Sequence, residues 1–570
     1  MNSRSVSRLA TLLAAAGLAA AAGPALAAGN HPIVTAPAGA VEGLKIGEMD
    51  SFRGIPYAAP PVGALRWQPP APATSWNGTL NATKFGAHCP QVGGSVGISS
   101  TDENCLFLNV FAPAGSESGG KKPVMVFFHG GGFSSGESDD YDPDKWVAHG
   151  RVVVTLNYRL GWLGFLETTG LQAEPHPQVN YGILDQRQAL QWVQANIAAF
   201  GGDPKNVTIL GQSAGGASVI THLVSPGSRG LYQGGLIESG AYAFITVLTL
   251  DQALANGNQF ASYEGCAATD TACLRSLSVK KILAAPTPIG ITSIAGGLTV
   301  DGTILPETPL QAAINGDFAK VPIVQGTNHD EFRLFTAELF DLGIGPLTAA
   351  EYPAFVGLTL GEVGLGADTD KVLARYPLSN YPSPDLAFAA MATDAAFATT
   401  AMISDNLFAI RTPTYGYEFA DENAPDNFLP PVSFPPDSAH EFELPYLGDS
   451  FTRTFLPFTP AQQKLSATMI DYWTRFSGTG TPNWWNTPLW LPFVPIVDDV
   501  SEFKTPTPFM STRFTDNHKV LFWAKLAGMD GLFTPGAHFT PPAGFHPRFI
   551  TLDAIARAAA KRASLSHAQP

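Results

Sequence analysis

The sequence predicts an α/β fold, with a central, mostly parallel twisted sheet flanked by helices. Three observations carry this expectation. Short apolar runs rich in β-branched residues recur along the chain. Helical patterns lie between them. A glycine-flanked serine, Ser213, stands where one such run meets one such helix.

The runs are PVMVFF (123–128), VVVTLNY (152–158), NVTIL (206–210), GGLIE (234–238) and VPIVQG (321–326). Each is short and apolar on both faces, the pattern of a buried parallel strand. Between the second and third, DQRQALQWVQANIAAF (185–200) places Leu190, Val193, Ile197 and Phe200 on one helical stripe. Strands alternating with helices predict a sheet with right-handed crossovers. Residues from about 335 to 435 are rich in alanine and proline and contain helical text such as LAFAAMATDAAFATTAMISDNLFA (386–409). They are expected to be helical insertions shaping a gorge above the sheet. No Ser/Gly linker flanks them, so residues 28–552 are expected to form a single domain. Residues 553–570 are expected to be a short helix or a C-terminal tail.

The chain has 570 residues, 45% of them hydrophobic and only 14% charged, with 57 glycines and 47 prolines. That composition is too apolar and aromatic for a disordered protein and fits a large, loop-rich globular one. The formal charge of −15 argues against nucleic acid and anionic membranes as partners. The first residues resemble a cleavable signal peptide. Arg4 and Arg8 precede an Ala-rich apolar stretch, and Ala25-Leu26-Ala27 fits the small-x-small cleavage rule. Residues 1–27 would then be removed, leaving a secreted or periplasmic chain with a charge of −17. No later segment reads as long and apolar enough to cross a bilayer, so no stable membrane insertion is expected. Four cysteines in an exported chain suggest two disulfides, and three pairings are open. The most local joins Cys89 to Cys105 and Cys266 to Cys273. No Cys-x-x-Cys is present and no histidine lies at ligand spacing from a cysteine, so no metal site is expected there. The sequence is silent on oligomeric state.

Gly-x-Ser-x-Gly occurs three times, at Ser95, Ser134 and Ser213. A hydrolytic serine needs a strand before it, a sharp turn, and a helix after it whose N-terminus supplies donors. Ser95 has neither element. Ser134 follows a strand but leads into the acidic loop ESDDYDPD. Ser213 follows NVTIL and precedes ASVITHLV, so it alone has the full setting. Beside Ser134 lies HGGGF (129–133), whose unshielded amides can hold a developing oxyanion. Gly131 and Gly132, with Ala214 after the serine, are the expected donors.

A serine nucleophile requires a base and an orienting acid, which follow it in that fold in the order serine, acid, histidine. Asp330 and Glu331 follow the strand VPIVQG, and the residues leave both open. Of His440, His518, His538, His546 and His567, order and setting put His440 first and His518 next.

At this point the chain resembles the type B carboxylesterase and cholinesterase family of α/β-hydrolases. The resemblance runs from about residue 33 into the 520s. It is carried by FRGIPYAAPPVGALRWQPPAP (52–72), ENCLFLNVFAP (103–113), HGGGF, NYRLGWLGFL (157–166), NYGILDQRQALQWVQANIAAFGGDP (180–204), GQSAGGASV, GCAATDTACLR (265–275), GTNHDEF (326–332) and HEFELPY (440–446). It implies Ser213 as nucleophile, Glu331 as acid, His440 as base, and Gly131, Gly132 and Ala214 as the oxyanion hole. It implies the local disulfides Cys89–Cys105 and Cys266–Cys273, and a supporting role for Ser239. It implies hydrolysis of a small-molecule carboxylic ester with no cofactor and no metal.

Two departures bear on substrate. Gln212 replaces the glutamate frequent before the nucleophile, and the loop between Cys89 and Cys105 has no tryptophan. Both argue against choline esters. Phe133, Trp162 and Phe397 are candidates for an apolar gorge wall. The rival to an esterase is a non-catalytic binding or adhesion protein on the same scaffold, which the intact set of serine, acid, histidine and glycines disfavours. Within enzymes, a lipase or polyester-type hydrolase is the alternative.

Overall fold

The apolar runs pair into one eleven-stranded sheet among the described residues of the computed structural model. Those residues are 31–94, 96–116, 119–176, 179–286, 297–534, 539 and 547–567. The expected leader, Ser95, His538 and His546 fall outside them. In chain order the strands are β1 (Leu44–Ile46), β2 (Met49–Pro56), β3 (Phe107–Pro113), β4 (Lys122–Phe128), β5 (Val152–Leu156), β6 (Gly202–Gln212), β7 (Gly234–Glu238), β8 (Ile323–Asn328), β9 (Thr414–Phe419), β10 (Val500–Phe503) and β11 (Phe509–Ser511). Their order across the sheet is β11-β10-β9-β8-β7-β6-β4-β5-β3-β2-β1. The run from β10 to β5 is parallel throughout, and both margins are antiparallel.

The strand residues divide by parity, as a pleated sheet requires. Val124, Val126, Phe128, Ile209 and Ile237 belong to one apolar core. Met125, Phe127, Leu210 and Leu236 belong to the core on the opposite face. Helices α1 (Tyr181–Asn196) and α2 (Ala214–Val224) cover the first face, and α2 is buried along its whole length. Helix α3 (Pro460–Thr479) covers the second with Leu465, Met469, Trp473 and Phe476. It starts on a capping box between Thr459 and Gln462, which satisfies amides the first turn leaves unpaired.

Register aligns the carboxyl ends of the central strands. Gln212 pairs with Glu238 across β6 and β7, and Glu238 pairs with Gly326 across β7 and β8. The loops after these strands therefore meet at one edge, where open α/β sheets hold their ligands.

Two expectations are corrected. The helical insertion occupies Phe332–Ala409, and residues 414–419 within the expected span form β9. TYGYEF is buried on both faces, and Glu418 conceals the apolar strand pattern. Secondly, one segment does reach membrane-crossing length and composition, the helix Pro384–Ala409. It is almost wholly buried, including Asp394 and Asp405, and is a core helix of this fold. Of the two alternatives for the C-terminal residues, the helix is found: α4 (Leu552–His567) packs on the helix Tyr352–Glu362, with Ile555, Ala558 and Ala559 buried. Arg557 Nε meets Glu362 Oε2 at 2.6 Å beside this contact. Cys89 is bonded to Cys105 and Cys266 to Cys273.

Candidate active site

Ser213 sits between the end of β6 and the start of α2, with φ 55° and ψ −120°. A positive φ is strained for a residue with a Cβ and marks a turn held by its surroundings. Here the Ser213 amide donates to the Glu238 carbonyl at 2.8 Å, and the Ser213 carbonyl accepts from Ala217 at 2.8 Å. The flanking glycines are forced by close approach. A Cβ on Gly215 would collide with the carbonyl of Phe128, and one on Gly211 would lie 2.5 Å from the Gly215 carbonyl carbon. Ser213 is 7% exposed, whereas His440 and Glu331 are 1% and 0% exposed, so of the three the serine is the one a substrate reaches.

Gly131 and Gly132 turn the chain after β4 with φ of 98° and 59°. The loop lies against the serine: a Cβ on Gly130 would stand 3.3 Å from that of Ser213. It is pinned by Gly161 N–H to the Phe133 carbonyl at 2.7 Å and by the Tyr158 hydroxyl to the His129 carbonyl at 2.8 Å. Ser134 Oγ donates back to the Gly131 carbonyl at 3.2 Å, so this rejected serine is part of the turn.

Glu331 and His440 meet, although 109 residues apart in sequence. His440 Nδ1 lies 2.5 Å from Glu331 Oε2, and the His440 amide donates to the Glu331 carbonyl at 3.3 Å. The other carboxylate oxygen accepts from Thr327 Oγ1 at 2.6 Å and from the Asn328 amide at 2.8 Å. Ser239 Oγ lies on the same carboxylate and lowers its pKa, short of full hydrogen-bond geometry. Asp330 faces the other way, to Arg333 at 2.9 Å and Ser438 at 2.9 Å. The alternative left open by sequence is thus resolved in position, and Glu331 is the acid that reaches His440.

The electrostatics separate the carboxyls around His440. Burial pushes Glu441 up to about 7 and Glu443 up to about 8. Burial acts on Glu331 too, but His440 and the hydrogen bonds outweigh it and hold its pKa below the ordinary value. Near neutral pH Glu331 is therefore the carboxyl that keeps its full charge. Burial alone would lower His440, yet the Glu331 charge raises its pKa above 6.5. In this state His440 Nε2 lies 3.2 Å from the Gln212 carboxamide.

His518, the second-choice histidine, is elsewhere. Its nitrogens face Asp394 at 2.7 Å and Glu418 at 2.7 Å, with no serine against them. Phe397 stands 5.4 Å from the His440 ring, and Phe335, which sequence reasoning missed, stands 5.0 Å from it. Phe335 lies in a helical turn beginning at Phe332, one residue after the acid, and that proximity was its only signal. Trp162 packs on Phe260 and Phe133 on Phe165, both as core.

A serine on such a strand–turn–helix, in a sheet of this topology, defines an α/β-hydrolase. Residues 30–523 match the model of the carboxylesterase family. The pyrethroid hydrolase Ces2e of Rattus norvegicus is 34% identical over 487 residues, 80% of this chain and 84% of its own. The para-nitrobenzyl esterase of Bacillus subtilis is 34% identical over 471 residues, 80% of this chain and 91% of its own. A solved para-nitrobenzyl esterase superposes with a TM-score of 0.71 at 30% identity, covering 84% of this chain and 97% of that one. The chain belongs to the carboxylesterase family and is a carboxylic ester hydrolase.

Proposed function

We propose that this carboxylesterase works through an acyl-enzyme on Ser213, with His440 as base and Glu331 as the acid that orients it. The 2.5 Å contact between His440 Nδ1 and Glu331 Oε2 carries the reading, since it directs Nε2 away from the acid. The Ser213 hydroxyl gives its proton to Nε2 and attacks the ester carbonyl. The Gly131, Gly132 and Ala214 amides receive the oxyanion, each worth about 3 kcal/mol in comparable sites. His440 protonates the departing alcohol, water enters, and the same steps in reverse release the acid. Glu331 stays ionised and stabilises the imidazolium.

The preferred substrates are small, soluble, neutral esters with an apolar group. Phe335, Phe397 and Tyr242 gather beside His440 and favour such a group. Gln212 adds no charge to draw a quaternary ammonium. The chain is exported after cleavage behind Ala27, and the mature part works as one domain.

Intact mass after treatment with an organophosphate, followed by peptide mapping, tests the assignment. One adduct on Ser213 is expected. A folded protein that takes no adduct, from this reagent or from a smaller sulfonyl fluoride, overturns it. N-terminal sequencing of secreted protein tests the cleavage site, and a chain beginning at residue 28 is expected.

A further inference from the structure

Outside the Ser213 site, His329, Glu418 and His518 form a group with no part in ester hydrolysis. They come from three separate segments. His329 follows β8, Glu418 lies on β9, and His518 precedes the helix Val520–Ala527. His329 Nδ1 stands 2.6 Å and His518 Nε2 2.7 Å from the same oxygen, Glu418 Oε1. All three atoms lie within 4.8 Å of one another. Two imidazoles and one carboxylate make the donor set that holds zinc in many open sites. Two nitrogen donors favour zinc, cobalt and nickel over magnesium and calcium, which take oxygen.

The surroundings have the features a metal site requires. Asp394 Oδ1 accepts from His518 Nδ1 at 2.7 Å, which orients the ring and leaves Nε2 facing Glu418. Asp394 is itself held by the Tyr376 hydroxyl at 2.7 Å and Lys519 Nζ at 3.0 Å. Glu418 is locked in β9 between β8 and β10. There is also a way in. His329, Asp394 and His518 line a cavity of about 520 Å3, and the His329 side chain is 38% exposed.

We propose that His329 Nδ1, Glu418 Oε1 and His518 Nε2 bind one divalent transition-metal ion of the zinc class, with its fourth position open to this cavity. The ion replaces the protons now shared between each imidazole and Glu418, so binding releases up to two protons. Each imidazole nitrogen parts from Glu418 Oε1 to roughly 3.3 Å, the edge of a tetrahedron with bonds near 2.0 Å. The ion ties the loop after β8 to β9 and to the C-terminal helices. This site is independent of the Ser213 assignment.

The test uses full-length protein stripped with a chelator and titrated with zinc against a chromophoric competitor. One equivalent is expected to bind, and cobalt(II) in its place should give the visible absorption of a four-coordinate ion. H329N and H518N should each weaken binding by at least roughly tenfold. H329N changes a part-exposed side chain, and circular dichroism checks its fold. Zinc should raise the Tm of the wild type and of S213A but not of H329N. Zinc uptake that is equal in wild type and a folded H329N overturns the proposal, as does no uptake by the wild type. Either result leaves a proton-shared ion-pair network in place of the metal.

Discussion

Two buried histidines, His440 and His518, each lean on a buried carboxylate within 2.7 Å, yet they do different things. His440 has a carboxylate on Nδ1 and only a neutral carboxamide on Nε2. His518 has carboxylates on both nitrogens. A base needs one nitrogen held and the other available. A ring enclosed between two negative oxygens holds on to a cation, whether proton or metal. An acid–histidine pair therefore does not by itself mark a catalytic centre, and what faces the second nitrogen decides its role.

The comparison can be tested at several strengths. S213A should reduce kcat by roughly 10⁴- to 10⁶-fold on a para-nitrophenyl ester, with Tm unchanged. A small loss would mean another nucleophile serves His440. E331Q should lower kcat by roughly 10³- to 10⁴-fold, because the imidazolium loses its charge partner. E418Q should be read in Tm, since an uncompensated buried charge costs about 3–5 kcal/mol. A fall in kcat as large as that of E331Q would erase the distinction between the two histidines.

The pH profile sharpens it further. Only neutral His440 accepts a proton, and the Glu331 charge raises its pKa above 6.5. The acidic limb of kcat/KM should therefore lie above pH 6.5, with activity lost as pH falls through it. In E331Q that limb should move to lower pH, because burial then acts on the ring without the opposing charge. The smallest effect concerns the rings. F397L, beside His440 at 5.4 Å, should change the ranking of aryl and alkyl esters by a few fold. F514L, 4.7 Å from His518, should leave that ranking intact. Chain-length series on the two variants measure this.

The legible part of the site was local. Ser213, the glycine loop and the Glu331 motif each sit in one short stretch whose spacing carries the chemistry. The choice between Asp330 and Glu331 was not local, since both follow the same strand. Only the turn decides that one meets Arg333 and the other His440. For His518 the sequence offered only its rank as second candidate base and nothing of its cluster, because its partners at 329, 394 and 418 lie 100 or more residues upstream. Among the strands, β9 was concealed by the buried Glu418 that serves that cluster. The terminal helix was ambiguous because alanine-rich text is helical either free or docked, and the Glu362 and Glu351 partners that hold it lie about 200 residues away.

One stretch of four residues joins these regions. Asn328 holds the Ala439 carbonyl and Glu443, His329 meets Glu418, Asp330 meets Arg333 and Ser438, and Glu331 meets His440. Asn328, Asp330 and Glu331 each fix a different residue of the segment 438–443, and His329 alone turns to β9. Such a segment tolerates exchange at one position far better than a shift in reading register. A single inserted or deleted residue would misdirect all four at once. Homologues are thus expected to differ in letters here but not in length, and loop grafting in this enzyme should begin beyond it.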